Sequence, residues 1–279
     1  MNNGFFNVLR DGFQCLTIPR SGNYRFEVIG ASLREDEPGA RIIGEVRLEK
    51  GEKITVAFGQ TGNYAECGNG GTFVVKENGA FAPQALFVAG GAGSGYRDDD
   101  FSKASLSQTA SGNDKIGSSG IQQYFDNNQN NNDSETDNSD TASDNDSDDE
   151  NKDESGMEND IYCCGAGFLE GPVTGELRKG SVAPKNYKDG LIGGKGIVVW
   201  DPSFPGLLTE GGFGGGSAWY CKNGNFYDGG GGGYTGGGTK VNGYKFCQGG
   251  GGGSFSIDQE AQFDHAHEDY GTCTVTYLD

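Results

Sequence analysis

Over the first ninety residues apolar positions alternate with polar ones in short runs. FQCLTIP (13–19), NYRFEVIG (23–30), RIIGEVRL (41–48), KITVAFG (53–59), TFVVK (72–76) and ALFVAGG (85–91) are rich in β-branched and aromatic residues and predict strands. PRSGN, EKGEK and KENGAF between them are turn material, and strands joined by such short turns are expected to pair antiparallel. GTCTVTY (271–277) alternates in the same way. With an inner Cys273, Val275 or Tyr277 face it is expected to enter the same sheet system and bring the two ends of the chain together. These elements predict an all-β, antiparallel sandwich.

From residue 97 to about residue 160 the alternation dissolves into Ser, Asn, Asp and Gln. Such a composition buries too little apolar surface to offset chain entropy, so residues 97–160 are expected to form a disordered acidic insertion between residues 1–96 and 161–279 of one domain. Residues 126–160 hold 14 carboxylates against the single base Lys152, about −13 of the formal −19. The acidity is therefore local. DNDSDDE (144–150) does not make a calcium loop, because the sixth and twelfth positions counted from Asp144 hold Asp149 and Ser155 instead of glycine and glutamate. Two sequons, at Asn132 and Asn145, lie in this stretch and matter only in a secreted protein.

The pattern changes again in the C-terminal half, where residues 211–253 contain 20 glycines in 43 positions, interrupted by Trp219, Tyr220, Phe226, Tyr227 and Tyr234. Glycine runs serve as flexible linkers. They also form extended polyproline-II-like helices, with three residues per turn and no internal hydrogen bonds, whose N–H and C=O groups then need partners on neighbouring segments. The interleaved aromatics favour the packed reading, since burying each contributes ~1.5–3 kcal/mol. The candidate glycine layer comprises Gly90, Gly91 and Gly93; Gly211, Gly212, Gly214, Gly215 and Gly216; Gly229, Gly230, Gly231, Gly232 and Gly233; Gly236, Gly237 and Gly238; and Gly249, Gly250 and Gly251, with residues 190–196 as a further segment.

Seven widely spaced cysteines fit neither a zinc CxxC pair nor a compact disulfide framework. They read either as idle buried thiols or as partly paired in an oxidising compartment, with Cys221 and Cys247 the first candidate pair. No basic face is visible, which argues against nucleic acid. No run approaches the ~20 apolar residues of a membrane-spanning helix, and the N-terminus lacks signal-peptide regions.

IPRSGNYRFEVIGA (18–31), GEVRLEKGEKITVAFGQTG (44–62), GGTFVVKENGAFAPQALFVAGGAGSG (70–95) and the block GGFGGGSAW…GGGGGYTGGG, in that order, resemble the glycine-rich extracellular region of the anaplastic lymphoma kinase and leukocyte tyrosine kinase receptors. The resemblance covers nearly everything except the acidic insertion. It implies a tumour-necrosis-factor-like sandwich carrying laterally packed glycine helices, and a recognition role at or outside the cell surface with a protein or glycan ligand. The chain departs from the family where REDEPGA follows GASL, and the growth-factor-like, membrane and kinase segments of those receptors have no counterpart in it.

No catalytic set is legible. Gly91-Ala-Gly93-Ser-Gly95 is not followed by a helix-like segment, as a dinucleotide loop requires, and kinase and Walker motifs are missing from the sequence. His265 and His267 have HxH spacing but are expected to lie in a polar loop before the final strand, where plain exposure is the expectation. The expected protein is therefore a non-catalytic, cofactor-free recognition module. Two alternatives stand beside it: a fragment of a receptor tyrosine kinase, and an intracellular scaffold whose acidic tract engages basic partners or is phosphorylated at Ser143 or Ser147. Oligomeric state is open.

Overall fold

The computed structural model describes residues 6–10, 12–79, 82–95, 100–111, 163–172, 181–198, 206–222, 225–241 and 246–279. The acidic stretch 126–160, with Asn132, Asn145, Ser143 and Ser147, lies outside the described residues.

The chain is all-β, with sixteen strands and no helix among the described residues: β1 Phe6–Arg10, β2 Phe13–Thr17, β3 Gly22–Ile29, β4 Gly39–Leu48, β5 Lys53–Ala57, β6 Thr72–Lys76, β7 Gln84–Ala89, β8 Lys195–Val198, β9 Leu207–Glu210, β10 Tyr220–Lys222, β11 Asn225–Tyr227, β12 Thr239–Val241, β13 Phe246–Gly249, β14 Phe255–Ser256, β15 Gln262–Ala266 and β16 Thr272–Tyr277. Two main sheets, ordered β1-β2-β5-β6-β7-β14 and β15-β4-β3-β16, are antiparallel throughout. A small sheet β10-β11-β13-β12 and a ribbon β8-β9 complete the set.

The sandwich-like core follows from the alternation. Leu16, Ile54, Val56, Val74 and Leu86 of the first sheet meet Tyr24, Phe26, Val28, Ala40, Ile42 and Leu48 of the second. A register shift beside Val74 lets the successive residues Leu86 and Phe87 both join this core, and Phe87 stacks on Phe26 with ring centroids 5.3 Å apart. The outer face of the second sheet is charged, with Arg41 paired to Glu27 at 2.6 Å and Arg25 to Glu45 at 3.8 Å. These exposed pairs are each worth about 0–1 kcal/mol.

The first sheet reads differently in the sequence because both of its faces are covered. ITVA, FVV and ALFVA are nearly continuous apolar runs. The face turned away from the sandwich core presents Phe13, Ala57, Phe73, Val75, Ala85 and Val88 to Phe168, Tyr187 and Leu191, with Phe213, Tyr234 and Phe255 packed against them. The glycine-rich half thus supplies a third layer, attached through its few large side chains.

Three expectations are corrected. PRSGN and EKGEK are not hairpin turns, because β2 pairs with β5 and β3 with β4, so each turn crosses between the sheets. The two crossovers lie side by side, with Ile18 N–H donating to Glu52 O at 2.9 Å and Gly51 N–H to Ile18 O at 2.8 Å. Opposed apolar faces on β2 and β3 are satisfied by facing each other across the core; side-by-side pairing would leave both needing cover. KENGAF does join paired strands, β6 and β7. Secondly, the insertion does not begin at residue 97: Ser102, Ala104 and Ala110 are buried, and Ser105 and Ser111 donate to Gly252 O and Gly251 O. Backbone donors in 100–111 find glycine carbonyls where apolar side chains are scarce. Thirdly, His265 lies in β15, paired with Ala40, and not in a loop.

β16 runs beside β3 from Thr272↔Ile29 to Tyr277↔Tyr24, joining the two ends of the chain. Among the described residues no helix is long and apolar enough to cross a membrane.

Candidate functional site: the interleaved glycine segments

The glycine segments converge on one another and address their neighbours with a period of three. Gly229 N–H donates to Glu66 O and Gly232 N–H to Asn69 O; Gly230 N–H donates to Cys163 O and Gly233 N–H to Ala166 O; Gly231 N–H donates to Gly250 O. Residues i and i+3 thus bond to one neighbouring segment at positions three apart. The same holds for 249–253. There Gly249 and Gly252 donate to Ser94 O and Gly91 O, Gly250 and Gly253 to Gly238 O and Thr235 O, and Gly251 to Phe101 O. In the segment containing Gly91, the N–H groups of Gly91 and Ser94 go to Gly232 O and Gly229 O, while that of Gly93 goes to Ser102 O. Gly90 N–H is taken by Ser254 Oγ at 3.1 Å.

Residues 211–216 extend the assembly toward the ribbon. Gly212 N–H donates to Gly68 O, Gly211 N–H to Gly194 O and Gly216 N–H to Gly212 O. Gly214 and Gly215, at φ 102° and 88°, form a turn whose two N–H groups point at Leu191 O. Gly236 and Gly237 complete the middle, Gly237 N–H donating to Gly231 O at 2.8 Å.

What these positions require is the lack of a Cβ. Among Gly229, Gly230, Gly231, Gly232 and Gly233 none has a left-handed φ, so an L side chain is excluded by space and not by dihedral angle. A Cβ on Gly230 would meet Gly237 O at 2.5 Å, and one on Gly91 would meet Gly70 O at 2.5 Å and Gly70 C at 2.6 Å. Backbone stands on each side.

Two further segments belong to the assembly that sequence reasoning left out, 66–71 (ECGNGG) and 163–167 (CCGAG). Their signal was present but weak: short runs of glycine and small residues beside cysteines.

Trp219, Tyr220 and Tyr227 are buried in this region, and the small sheet sorts the cysteines. Cys221 pairs with Phe226 and Tyr227 with Cys247, so Cys221 and Cys247 project to opposite faces. Cys221 packs with Cys67, Val198 and Trp219, and Cys247 with Cys163, Ala218, Tyr220 and Tyr227. The Cys221–Cys247 pairing is therefore corrected: strand register separates the sulfurs, which a disulfide needs within bonding reach. Burial pushes the Cys67 thiol up to about 11 and the Cys164 and Cys247 thiols up to about 12, which holds them in the unreactive protonated form.

The two histidines are engaged separately. His265 Nε2 lies 2.8 Å from Ala104 O, and His267 Nδ1 lies 2.8 Å from Ser32 Oγ. Among the described residues no group of three His, Cys, Asp or Glu side chains is arranged to hold a metal.

One side chain ties the ribbon to the assembly. Asn63 N–H donates to Glu210 O at 2.9 Å, and Asn63 Oδ1 accepts from Glu210 N–H at 2.7 Å, so this residue imitates a neighbouring strand along the edge of β9. Asn63→Ala removes the side-chain half of that pair and is expected to cost about 1 kcal/mol, a fall in Tm of ~3 °C, measurable by differential scanning fluorimetry.

No protein-family model matches this chain, and no curated protein matches it.

Proposed function

We propose that the chain is a non-catalytic recognition module of the glycine-rich receptor-ectodomain type, in which extended three-residue-per-turn glycine helices pack side by side on a tumour-necrosis-factor-like sandwich. The observation that carries this reading is the period of three in the hydrogen bonds of 229–233 and 249–253, which is the repeat of a polyproline-II helix. A linker would have no such repeat. A body tied together by backbone groups holds its surface side chains at fixed positions, and preorganisation of that kind lowers the entropic cost of binding.

Three exposed large side chains lie on the 60–67 loop or on segments bonded to it. Tyr270 and Leu208 are 64 % and 67 % exposed, and Tyr64 is exposed as well. Gln60 bridges to Tyr270 while its own N–H donates to Phe213 O, and Asn63 bonds both backbone groups of Glu210 and donates its side-chain amide to the Leu208 carbonyl. Large apolar and aromatic groups on a rigid base suit a protein or glycan partner at or outside the cell surface.

Labelled full-length chain titrated onto intact cells is expected to bind saturably, to be displaced by unlabelled chain, and to lose at least tenfold in affinity in Leu208→Asp and Tyr270→Ala with Tm unchanged. Protease or glycosidase treatment of the cells separates protein from glycan partners. Binding no better than that of heat-unfolded chain, or tagged protein confined to the cytosol, overturns the reading.

A further inference from the structure

Three acidic residues from three separate segments flank one backbone junction, Ser94–Gly95: Glu37 through its carboxyl, Glu66 through its backbone carbonyl and Asp228 through its chain neighbour Gly229. Gly95 N–H donates to Glu37 Oε1 at 3.0 Å. Ser94 Oγ donates to Glu66 O at 2.6 Å, and Ser94 N–H to Gly229 O at 3.1 Å, next to Asp228. Gly249 N–H donates to Ser94 O, Gly229 N–H to Glu66 O and Asp228 N–H to Cys247 O, each at 2.8 Å. The junction is therefore where the segment containing Gly91 is fastened to the segments beginning at Gly229 and Gly249.

The acids are poorly compensated. Glu37 and Asp228 are only 4 % and 5 % exposed. The charges acting on Asp228 are Glu66 and Glu37, both of its own sign, and it faces the buried thiols of Cys163 and Cys247. Glu37 faces one cation, Arg34, at 3.9 Å, together with Asp36 and Glu66. That cation is already gripped by both oxygens of Asp36, at 3.2 and 3.1 Å, and also donates to Gly95 O at 3.3 Å.

We propose that this junction is a pH-operated latch, fastened while Glu37 and Asp228 are protonated and loosened when both ionise beside Glu66. Burial is the first cause of the unusual titration: it raises Glu37 to about 7, against the opposing pull of Arg34 and of the Gly95 N–H, and raises Asp228 to about 8, where the neighbouring Glu66 and Glu37 add to the rise. In the unfolded chain both titrate near 4. The folded state therefore binds more protons between about pH 4 and pH 8, and stability falls as pH rises through that window. This is the reverse of ordinary acid denaturation.

The test compares wild type with Glu37→Gln and Asp228→Asn, Glu260→Gln serving as an exposed control away from the junction, by Tm between pH 5.5 and 8.5 at fixed ionic strength. Wild type is expected to lose ~5 °C or more across that range, each buried-site variant to lose clearly less, and Glu260→Gln to follow wild type. Hydrogen exchange of wild type, corrected for intrinsic rate, is expected to show protection at Ser94 and Gly249 falling at least tenfold from pH 6 to pH 8.5; it decides the matter by itself where a variant fails to fold. Equal Tm slopes in wild type and both buried-site variants, or protection independent of pH, overturn the latch.

Discussion

Gly231→Val is expected to leave no folded protein at 25 °C. Gly231 N–H donates to Gly250 O at 2.9 Å and its carbonyl accepts from Gly237 N–H at 2.8 Å. A Cβ at this position would overlap the carbonyl oxygen of Gly91 and lie 2.8 Å from both C and O of Ala92. No flexible side chain is available to yield, because the obstructing atoms are backbone, and that backbone is itself bonded: Gly91 N–H to Gly232 O, and Ala92 N–H to Ala31 O of the sandwich. Moving Gly91 aside breaks those bonds, and each buried polar group left unpaired costs about 1–3 kcal/mol. With two or three such groups and the overlap itself, the loss exceeds about 5 kcal/mol, comparable with the whole stability of a domain. Circular dichroism and a thermal melt check it. Gly171→Ala is the control, since nothing lies within 4 Å of its added Cβ; it is expected to shift stability by no more than about 0.5 kcal/mol. A melt of Gly231→Val close to that of wild type would mean that the glycine segments do not pack as described.

Why some of this could be read from sequence, and some not, has a physical basis. β3 and β4 each bury one face and expose the other, so NYRFEVIG and RIIGEVRL carry their period in plain view. β8 and β9 have four residues each, and β15 is the edge strand QFDHA, whose half-buried Phe263 and His265 are too few to establish a period. Which strands pair was hidden more deeply. Turn chemistry at PRSGN specifies a reversal of direction, and both a hairpin and a crossover between sheets satisfy it; only the demand that β2 and β3 cover each other's apolar faces selects the crossover. The glycine segments show a different limit. A tract such as 229–233 has no side-chain pattern at all, so its partners are chosen by three-dimensional register between backbones. That register brings in ECGNGG and CCGAG, which composition alone does not single out. The carboxyls at the latch were invisible for a related reason: Glu37 lies in a polar loop and Asp228 borders a glycine run, and neither context in the sequence announces burial.

Phe87→Ala is expected to have the second largest effect, about 3–5 kcal/mol of destabilisation. Phe87 is fully buried and stacked on Phe26 with ring centroids 5.3 Å apart, bridging the two main sheets at the place where β7 carries two successive residues into the core. Gly44 of β4 shows how closely the ring is held: a Cβ there would lie 2.5 Å from the Phe87 ring and 3.2 Å from Ala261 Cβ, so the ring occupies the space a side chain on β4 would take. Deleting the ring opens a cavity that Gly44 has no side chain to fill, and the second sheet cannot move inward because β3 and β4 are held along their length by each other, by β15 and by β16. The loss should therefore fall in the upper half of that range, where a site collapses poorly. Chemical denaturation with urea checks it, the midpoint falling with m unchanged. Gly44→Ala combined with Phe87→Leu is expected to recover part of the loss relative to Phe87→Ala, because the added methyl and the smaller side chain share the vacated volume; a double variant less stable than Phe87→Ala would show that the ring is not what fills the space beside β4.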